Sequence, residues 1–534
     1  YRSGEELQSR GFDSRGFRRL MSTLSCSLPS ILPQAEKRFQ IQRSEALSSI
    51  HFPSSEEALA QARSYLLYEE LYLFLTLMRE KVMKRAHNNR LHRPVLPAES
   101  HLFKDLTARL PFALTRGQQQ IIQNVSLSCQ EDHTESFLLQ GDVGSGKTIV
   151  ALLLACLYVE RGLQVAFLAP TDVLARQHFQ TISGAVGLFG RPRTGLLTAQ
   201  GSRKERAALL AEIEQGSLDL VIGTHALLSA DVVFRNLAFV IIDEQHRFGV
   251  EQREALKNKG GHPDTLAMTA TPIPRTLCLT AYADLKLLLL KEKPAGRMAI
   301  RTLWLKEKER EGLYRSIRKY IGQGQQCFIV YPLISESEKV DLKAATDGFA
   351  ELSQVFAETG VALLHGRLPA REKEAVMRDF KEGRTRILVT TTVIEVGVDV
   401  PNATIMVVEH ADRFGISQLH QLRGRVGRGA KESFCIFMTA DTVTAEAEER
   451  LEALVKSQDG FYLADVDLKL RGPGELLGLR QHGMPGLQLA DLQRDQKLAE
   501  EIYQEVQSQT ELSTDLLALA RRRFRAAGEI FGFT

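Results

Sequence analysis

From Leu114 to roughly Pro294 the chain alternates short apolar runs with stretches whose apolar residues recur at helical spacing. The runs FLLQ, VAFLAP, LVIG, FVIIDE and TLAMTAT each end in a small, polar or acidic cluster. This alternation predicts strand–helix units and a parallel sheet, with the clusters at the carboxyl ends of the strands, where such sheets bind ligands. The runs are continuously apolar, which indicates strands covered on both faces. A second series follows Arg301: CFIVYPL, VALLHG, RILVTT, TIMVVE and SFCIFMT. Two α/β domains in tandem are therefore expected, joined around Lys293 to Arg301, where PAG breaks the pattern.

The flanks follow a helical period. From Pro53, PSSEEALAQARSYLLYEELYLFLTLMREKVMKR predicts one long helix, opened by a Ser54-x-x-Glu57 capping box. Its apolar face, Leu59, Leu66, Leu71, Phe74, Leu77 and Met78, is most simply a packing surface. After Thr439 the chain becomes helical and charged around a Gly/Pro-containing centre, DLKLRGPGELLGLRQHGMPG. No internal repeat or low-complexity segment is evident.

Bulk properties narrow this picture only a little. A chain of 534 residues is too long for one core, and about 150 residues per domain implies roughly three units. A net charge of +3 is weak evidence for any polyanionic partner, although basic residues can still share one face. The six cysteines are scattered, with no CxxC pair and no HExxH, which speaks against a disulfide framework and a zinc site and favours a reducing cytoplasm. The longest apolar run, Ile149 to Val159, falls well short of the ~20 residues that a membrane span needs, so no membrane association is expected.

The candidate chemistry lies at the strand ends. GDVGSGKT, Gly141 to Thr148, follows FLLQ and precedes the helical IVALLLACLYVE, the context that a phosphate-binding loop requires. Its glycines, Gly141, Gly144 and Gly146, let backbone N–H groups turn toward phosphate oxygens, Lys147 reaches the outer phosphates, and Thr148 can ligate Mg²⁺. The run VIIDE supplies the partner of such a loop. Asp243 is placed to hold Mg²⁺ through water, and Glu244 to orient the water that attacks a γ-phosphate. APT at Ala169 to Thr171 and GTH at Gly223 to His225 also sit at strand ends, where hydroxyls and amides could meet phosphates.

Gln245 and His246 extend the acids to DEQH, and TAT, Thr269 to Thr271, follows a further strand. With QLRGRVGR, Gln421 to Arg428, these resemble the superfamily 2 helicases and translocases. The resemblance implies two tandem RecA-like P-loop domains, an α/β fold with an N-terminal long helix and a C-terminal helical hairpin and loop. It implies ATP and Mg²⁺ as cofactors, and a hydrolytic site completed from the second domain by Arg425 and Arg428, with Gln421 in the same motif. Such charges suit the reaction, because negative charge develops on the phosphoryl oxygens and an arginine from a separate domain makes hydrolysis depend on closure. In TTTVIEVGVDVP, Thr390 to Pro401, Gly397 and Asp399 match positions facing the ATP cleft. Gln118 of LTRGQ lies where a glutamine would contact adenine; a helix-surface glutamine is the alternative. Gln245, His246, Thr269 and Thr271 match the path from nucleotide to nucleic acid, although His246 taken alone is better read as a core histidine.

Longer strings, among them DEQHRFGVEQR, ATPIPRTL and DGFYLADVDLKLRGPGELLGLRQHG, are similar to one branch of that superfamily from about Leu102 to Asp495. That branch comprises the ATP-dependent helicases of branched DNA. The transcription-repair coupling factor shares most of these strings, but it typically has a further acid at the position of Gln245 and needs an RNA-polymerase-binding module. The resemblance carries over Arg471 and Gln481 as residues that couple closure to DNA movement, with a local salt bridge of Arg471 to Asp467 or Glu475 as the alternative. The implied partners are double-stranded DNA, branched DNA such as forks and Holliday junctions, and single-stranded DNA-binding protein. The expected divisions are a wedge remnant and linker helix over 1–100, an ATP-binding domain over 101–294, a second motor domain over 295–445, and a translocation hairpin with C-terminal helices over 446–534. The chain opens on Tyr1, and the stretch to about Pro33 is expected to be the tail of an OB-fold wedge that splits fork arms, leaving the motor complete.

Overall fold

The computed structural model describes residues 29–88, 100–129, 134–187, 190–199, 202–244, 259, 263–270, 285–292, 298–332, 338–391, 400–427, 429, 431–471, 487–491, 494–509 and 512–524. They fall into two compact units. One comprises the described residues within 86–274 and 285–470, and the other those within 29–85 and 471–524.

The larger unit contains two sheets. The first is built from β1 (Ser136–Gly141), β2 (Gln164–Leu168), β3 (Thr194–Leu197), β4 (Leu220–Gly223), β5 (Leu237–Ile242), β6 (Asp264–Thr269) and β7 (Lys286–Leu290). All pairs are parallel, in the order β3-β4-β2-β5-β6-β1-β7. Side chains alternate faces along a strand, and β2 shows the result: Val165 and Phe167 enter one core, Ala166 and Leu168 another. The first core also takes the helix Lys147–Glu160, buried at every position from Val150 to Val159.

The second sheet is built from β8 (Arg301–Lys306), β9 (Gln326–Tyr331), β10 (Val361–Leu364), β11 (Ile387–Thr391), β12 (Ala403–Val408) and β13 (Phe434–Thr439). Its order is β10-β11-β9-β12-β13-β8, again parallel throughout. Along β9, Phe328 and Val330 face one core, and Cys327, Ile329 and Tyr331 the other. The two tandem α/β domains expected from the sequence are present. Three strands outside the expected series complete them: β3, β7 and β8, each at an edge of its sheet.

The long helix runs Glu56–Asn88, with its residues up to 85 in the smaller unit. Its first turn is capped one residue later than expected, with the Ser55 hydroxyl accepting from the Ala58 N–H at 3.1 Å. The single apolar face anticipated for it is a partial description, since every residue from Tyr65 to Met78 is buried, Glu69, Glu70 and Thr76 included. The helices Pro33–Phe39, Gln496–Ser508 and Thr514–Arg523 supply partners. Phe39 lies edge-on to Tyr65 and Tyr68, Phe524 edge-on to Phe74, and the Tyr68 hydroxyl donates to Glu505 at 2.6 Å.

Candidate active site

The order β5-β6-β1 places three chain segments side by side at one sheet edge: the loop after β1, the acids after β5 and the Thr269–Ala270 step after β6. Their proximity is a consequence of crossover topology, and it brings together residues more than a hundred positions apart.

The loop turns where only glycine is comfortable. Gly144 and Gly146 have φ of 76° and 88°, in the left-handed region. At Gly146 a Cβ would stand 2.3 Å from Gln118 Nε2, and at Gly141 it would stand 2.6 Å from Ser145 Oγ. Lys147 begins the following helix and folds back, donating from Nζ to the carbonyls of Gly141 at 2.7 Å and Asp142 at 3.0 Å. Burial pushes its ammonium below the ordinary lysine value. The charges of Glu244, Asp243 and Asp142 oppose that shift, and the charge of Arg425, from the second sheet's side, adds to it. Thr148 follows on the same helix turn, half-buried.

Asp243 extends the β5 ladder, its N–H donating to Leu168 O at 2.9 Å. Burial works against its charge, but the hydrogen bond and charge of His178, with Lys147 behind them, outweigh it and hold the carboxyl below its ordinary range. The His178 Nε2 to Asp243 Oδ2 distance is 2.9 Å. Glu244 adopts φ 50°, a conformation that side chains rarely take and that clusters at functional sites. Its N–H donates to Asp243 Oδ1 at 3.1 Å, and its Oε2 lies 3.5 Å from the Ala270 N–H, next to the buried Thr269.

Gln118 is neither on a helix surface nor idle. It is buried, closes a capping box with Thr115, and donates from Nε2 to Ser145 O at 3.0 Å. The residue expected from the sequence to contact adenine is a support beneath the phosphate loop.

From the second sheet, the helix Ile416–Arg423 brings Gln421, His420 and Arg423, all buried, followed by Gly424 and Arg425. His420 Nε2 lies 2.6 Å from Asp142 Oδ1, and His420 Nδ1 lies 2.7 Å from Arg423 Nη2. A Cβ at Gly424 would stand 2.6 Å from Val143 Cβ. Asp142, His178, His420 and Arg423 were absent from the sequence expectations. Asp142 lies inside the loop motif, His420 abuts QLRGRVGR and Arg423 lies within it, so these had a positional signal; His178 had none. Gln245, His246, Thr271, Gly397, Asp399, Arg428 and Gln481 lie outside the described residues, as does the side chain of Arg471, whose backbone ends the helix Gly460–Arg471.

The residues present fit a Mg²⁺-nucleotide. A glycine cradle, one inward lysine, a hydroxyl at the helix start and an acidic strand end form the donor set that such a ligand uses. Among the described residues no group of three His, Cys, Asp or Glu gathers as a metal cluster, and no helix is long and apolar enough to cross a membrane.

Comparison with known proteins matches residues 115–279 to the DEAD/DEAH box helicase domain and residues 312–430 to the helicase conserved C-terminal domain. Residues 457–516 match the C-terminal part of domain 3 of ATP-dependent DNA helicase RecG. The chain is 44% identical to the RecG of Synechocystis sp. over 89% of its own length and 57% of that protein. It is 44% identical to the RecG of Streptococcus pneumoniae over 88% of its length and 70% of that protein. A solved structure of RecG bound to a three-way DNA junction matches with a TM-score of 0.69 and 39% identity, over 94% of this chain and 65% of that one. The chain therefore spans little more than half the length of the Synechocystis relative.

Proposed function

Because the chain belongs to the RecG family of ATP-dependent DNA helicases, we propose that it is an ATP-driven motor that moves on double-stranded DNA and remodels branched DNA, forks and Holliday junctions, in repair and recombination. The observation that carries this reading is the convergence of Lys147, Asp243, Glu244 and Arg425 at one sheet edge, with Arg425 contributed by the second domain.

On this reading the loop 141–148 and Lys147 cradle the phosphates, and Thr148 and Asp243 hold Mg²⁺. The ion, when bound, neutralises charge on the β- and γ-phosphates. Glu244 positions the attacking water; its positive-φ backbone is held by the N–H bond to Asp243 Oδ1, and its carboxylate lies near the Ala270 N–H. Arg425, with Arg428 in the same motif, supplies positive charge as the cleft closes, which makes turnover depend on closure. Gln421, Gly397 and Asp399 complete the cleft, and Gln245, His246, Thr269, Thr271, Arg471 and Gln481 carry its state to the DNA path. These last roles rest on the family resemblance, as do a cytoplasmic setting and a partnership with single-stranded DNA-binding protein.

Phosphate contacts should dominate DNA affinity and make it largely independent of sequence. The test is ATP turnover with and without duplex, forked and four-way DNA across a salt series. The reading requires DNA-stimulated hydrolysis that weakens steeply with salt. Turnover indifferent to every DNA would remove it.

A further inference from the structure

Arg423 is buried on the helix Ile416–Arg423, and a guanidinium can only donate hydrogen bonds. His420 Nδ1, 2.7 Å from Arg423 Nη2, must therefore accept, which assigns the ring hydrogen to Nε2, and Nε2 donates to Asp142 Oδ1 at 2.6 Å. The polarity of the chain is thus set: Arg423 to His420 to Asp142. Asp142 belongs to the phosphate loop, where the same Oδ1 also accepts from the Val143 N–H at 2.7 Å.

At its other end Arg423 donates through Nη1 to Leu454 O at 2.7 Å and Ser457 O at 2.8 Å. Those carbonyls lie at the end of the helix Ala445–Lys456, where helical carbonyls lack intrahelical partners and a cation is favoured. Three residues later begins the helix Gly460–Arg471, and Asp467 on it accepts from Ser417 Oγ, on the His420 helix, at 3.0 Å. A cavity of about 170 Å³ adjoins the Asp142–His420 contact, lined also by Met298, Ile300 and Gln458.

We infer that His420 is a positioning residue that ties the phosphate loop to the Leu454–Ser457 turn, so that nucleotide bound at the loop sets the placement of the helix Gly460–Arg471. The inference rests on the reading of the loop as an ATP site. His420 touches no reacting atom in this scheme. It acts as a neutral bridge that accepts on one side and donates on the other, and a glutamine amide reproduces that polarity, whereas alanine does not.

The experiment uses this chain with His420→Gln, His420→Ala, Asp142→Ala and the Asp142→Ala/His420→Ala double variant. Hydrogen exchange over residues 454–463 is followed with and without Mg²⁺-ADP, and DNA-stimulated ATP turnover is measured alongside. In the wild type, ADP should slow exchange over 454–463. His420→Ala should abolish that slowing and lower kcat about tenfold, with KM for ATP moved less than about threefold, and His420→Gln should restore both. If the two residues act through one contact, the double variant should be no worse than the worse single variant within about twofold. The inference is overturned if ADP protection survives in His420→Ala, if His420→Gln is as defective as His420→Ala at equal melting temperature, or if the double variant's losses multiply. Loss of wild-type turnover alone would instead count against the ATPase reading, because the ADP-exchange arm needs no hydrolysis.

Discussion

Gly424 and Val143 approach so closely that a methyl group on Gly424 would meet Val143 Cβ at 2.6 Å, Cγ1 at 2.7 Å and Cγ2 at 3.1 Å. Real side chains do not tolerate that spacing, so the second sheet's motif is seated directly on the phosphate loop. Gly424→Ala should lower DNA-stimulated turnover about tenfold or more by holding the domains apart. Val143→Gly in the same chain removes all three opposing atoms and should recover part of the loss. Steady-state ATPase of the single and double variants decides it; an active Gly424→Ala would mean that the seating is not needed for hydrolysis.

Lys147 and Glu244 should fail in different ways. Lys147→Ala removes the cation of the phosphate cradle and should abolish turnover together with tight nucleotide binding. Glu244→Gln keeps the cradle and should bind nucleotide while hydrolysing it at least about a hundredfold more slowly. Fluorescent-nucleotide titration beside a turnover assay separates the two, and near-normal hydrolysis by Glu244→Gln would strip Glu244 of its assigned role.

Gln118 offers a distinction between support and recognition. Its amide closes the Thr115 capping box and holds Ser145 O, so Gln118→Ala should cost about 1 kcal/mol of stability whatever it does to nucleotide. If Gln118 also reads adenine, the variant loses its preference for ATP over GTP. If it only supports the loop, KM for both nucleotides rises in parallel.

The His178–Asp243 pair links stability to pH. Asp243 is held below its ordinary range despite burial, through the hydrogen bond and charge of His178. A depressed carboxyl contributes stability that is complete above the unfolded value and is lost as pH falls through the folded one. Removing His178 should raise the Asp243 value and shift that loss to higher pH. His178→Ala should therefore lower stability by about 1–3 kcal/mol at neutral pH, with acid unfolding beginning earlier. Urea unfolding at several pH values reads both effects; an unchanged acid limb would mean that His178 does not control Asp243.

In the smaller unit, Glu70 gathers a chain segment around one carboxylate. It accepts from the N–H groups of Gln488, Leu489 and Ala490 at 2.8–2.9 Å and from Arg523 Nη2 at 2.9 Å, and it is buried. Glu70→Gln leaves donors facing donors and should cost about 2–4 kcal/mol. Limited proteolysis should then cut near residues 487–491 sooner than in the wild type; equal cutting rates would assign the anchoring to other contacts.

The central strands, the phosphate loop and the acidic strand end were legible in the sequence because each is a local property. A strand buried on both faces must be apolar at nearly every position, and a loop that wraps phosphate must place glycine where φ is positive. The edge strands β3 and β8 were not legible, since strands with partly exposed faces need no continuous apolar run, and β8 is half or fully exposed along its length; β7 does carry one, Leu287–Leu290, and that reason does not cover it. What the sequence could not determine was which side chains meet. Asp142 and His420 lie 278 residues apart, and His178 and Asp243 lie 65 apart. Their encounters depend on crossover order and on the docking of one sheet's motif against the other's loop, and side-chain periodicity carries no information about either. The hydrogen bond of Gln118 to Ser145 belongs to the same class: its sequence position suggested only a base contact, and the support of the loop follows from the fold, because the helix that carries Gln118 starts directly against the phosphate loop.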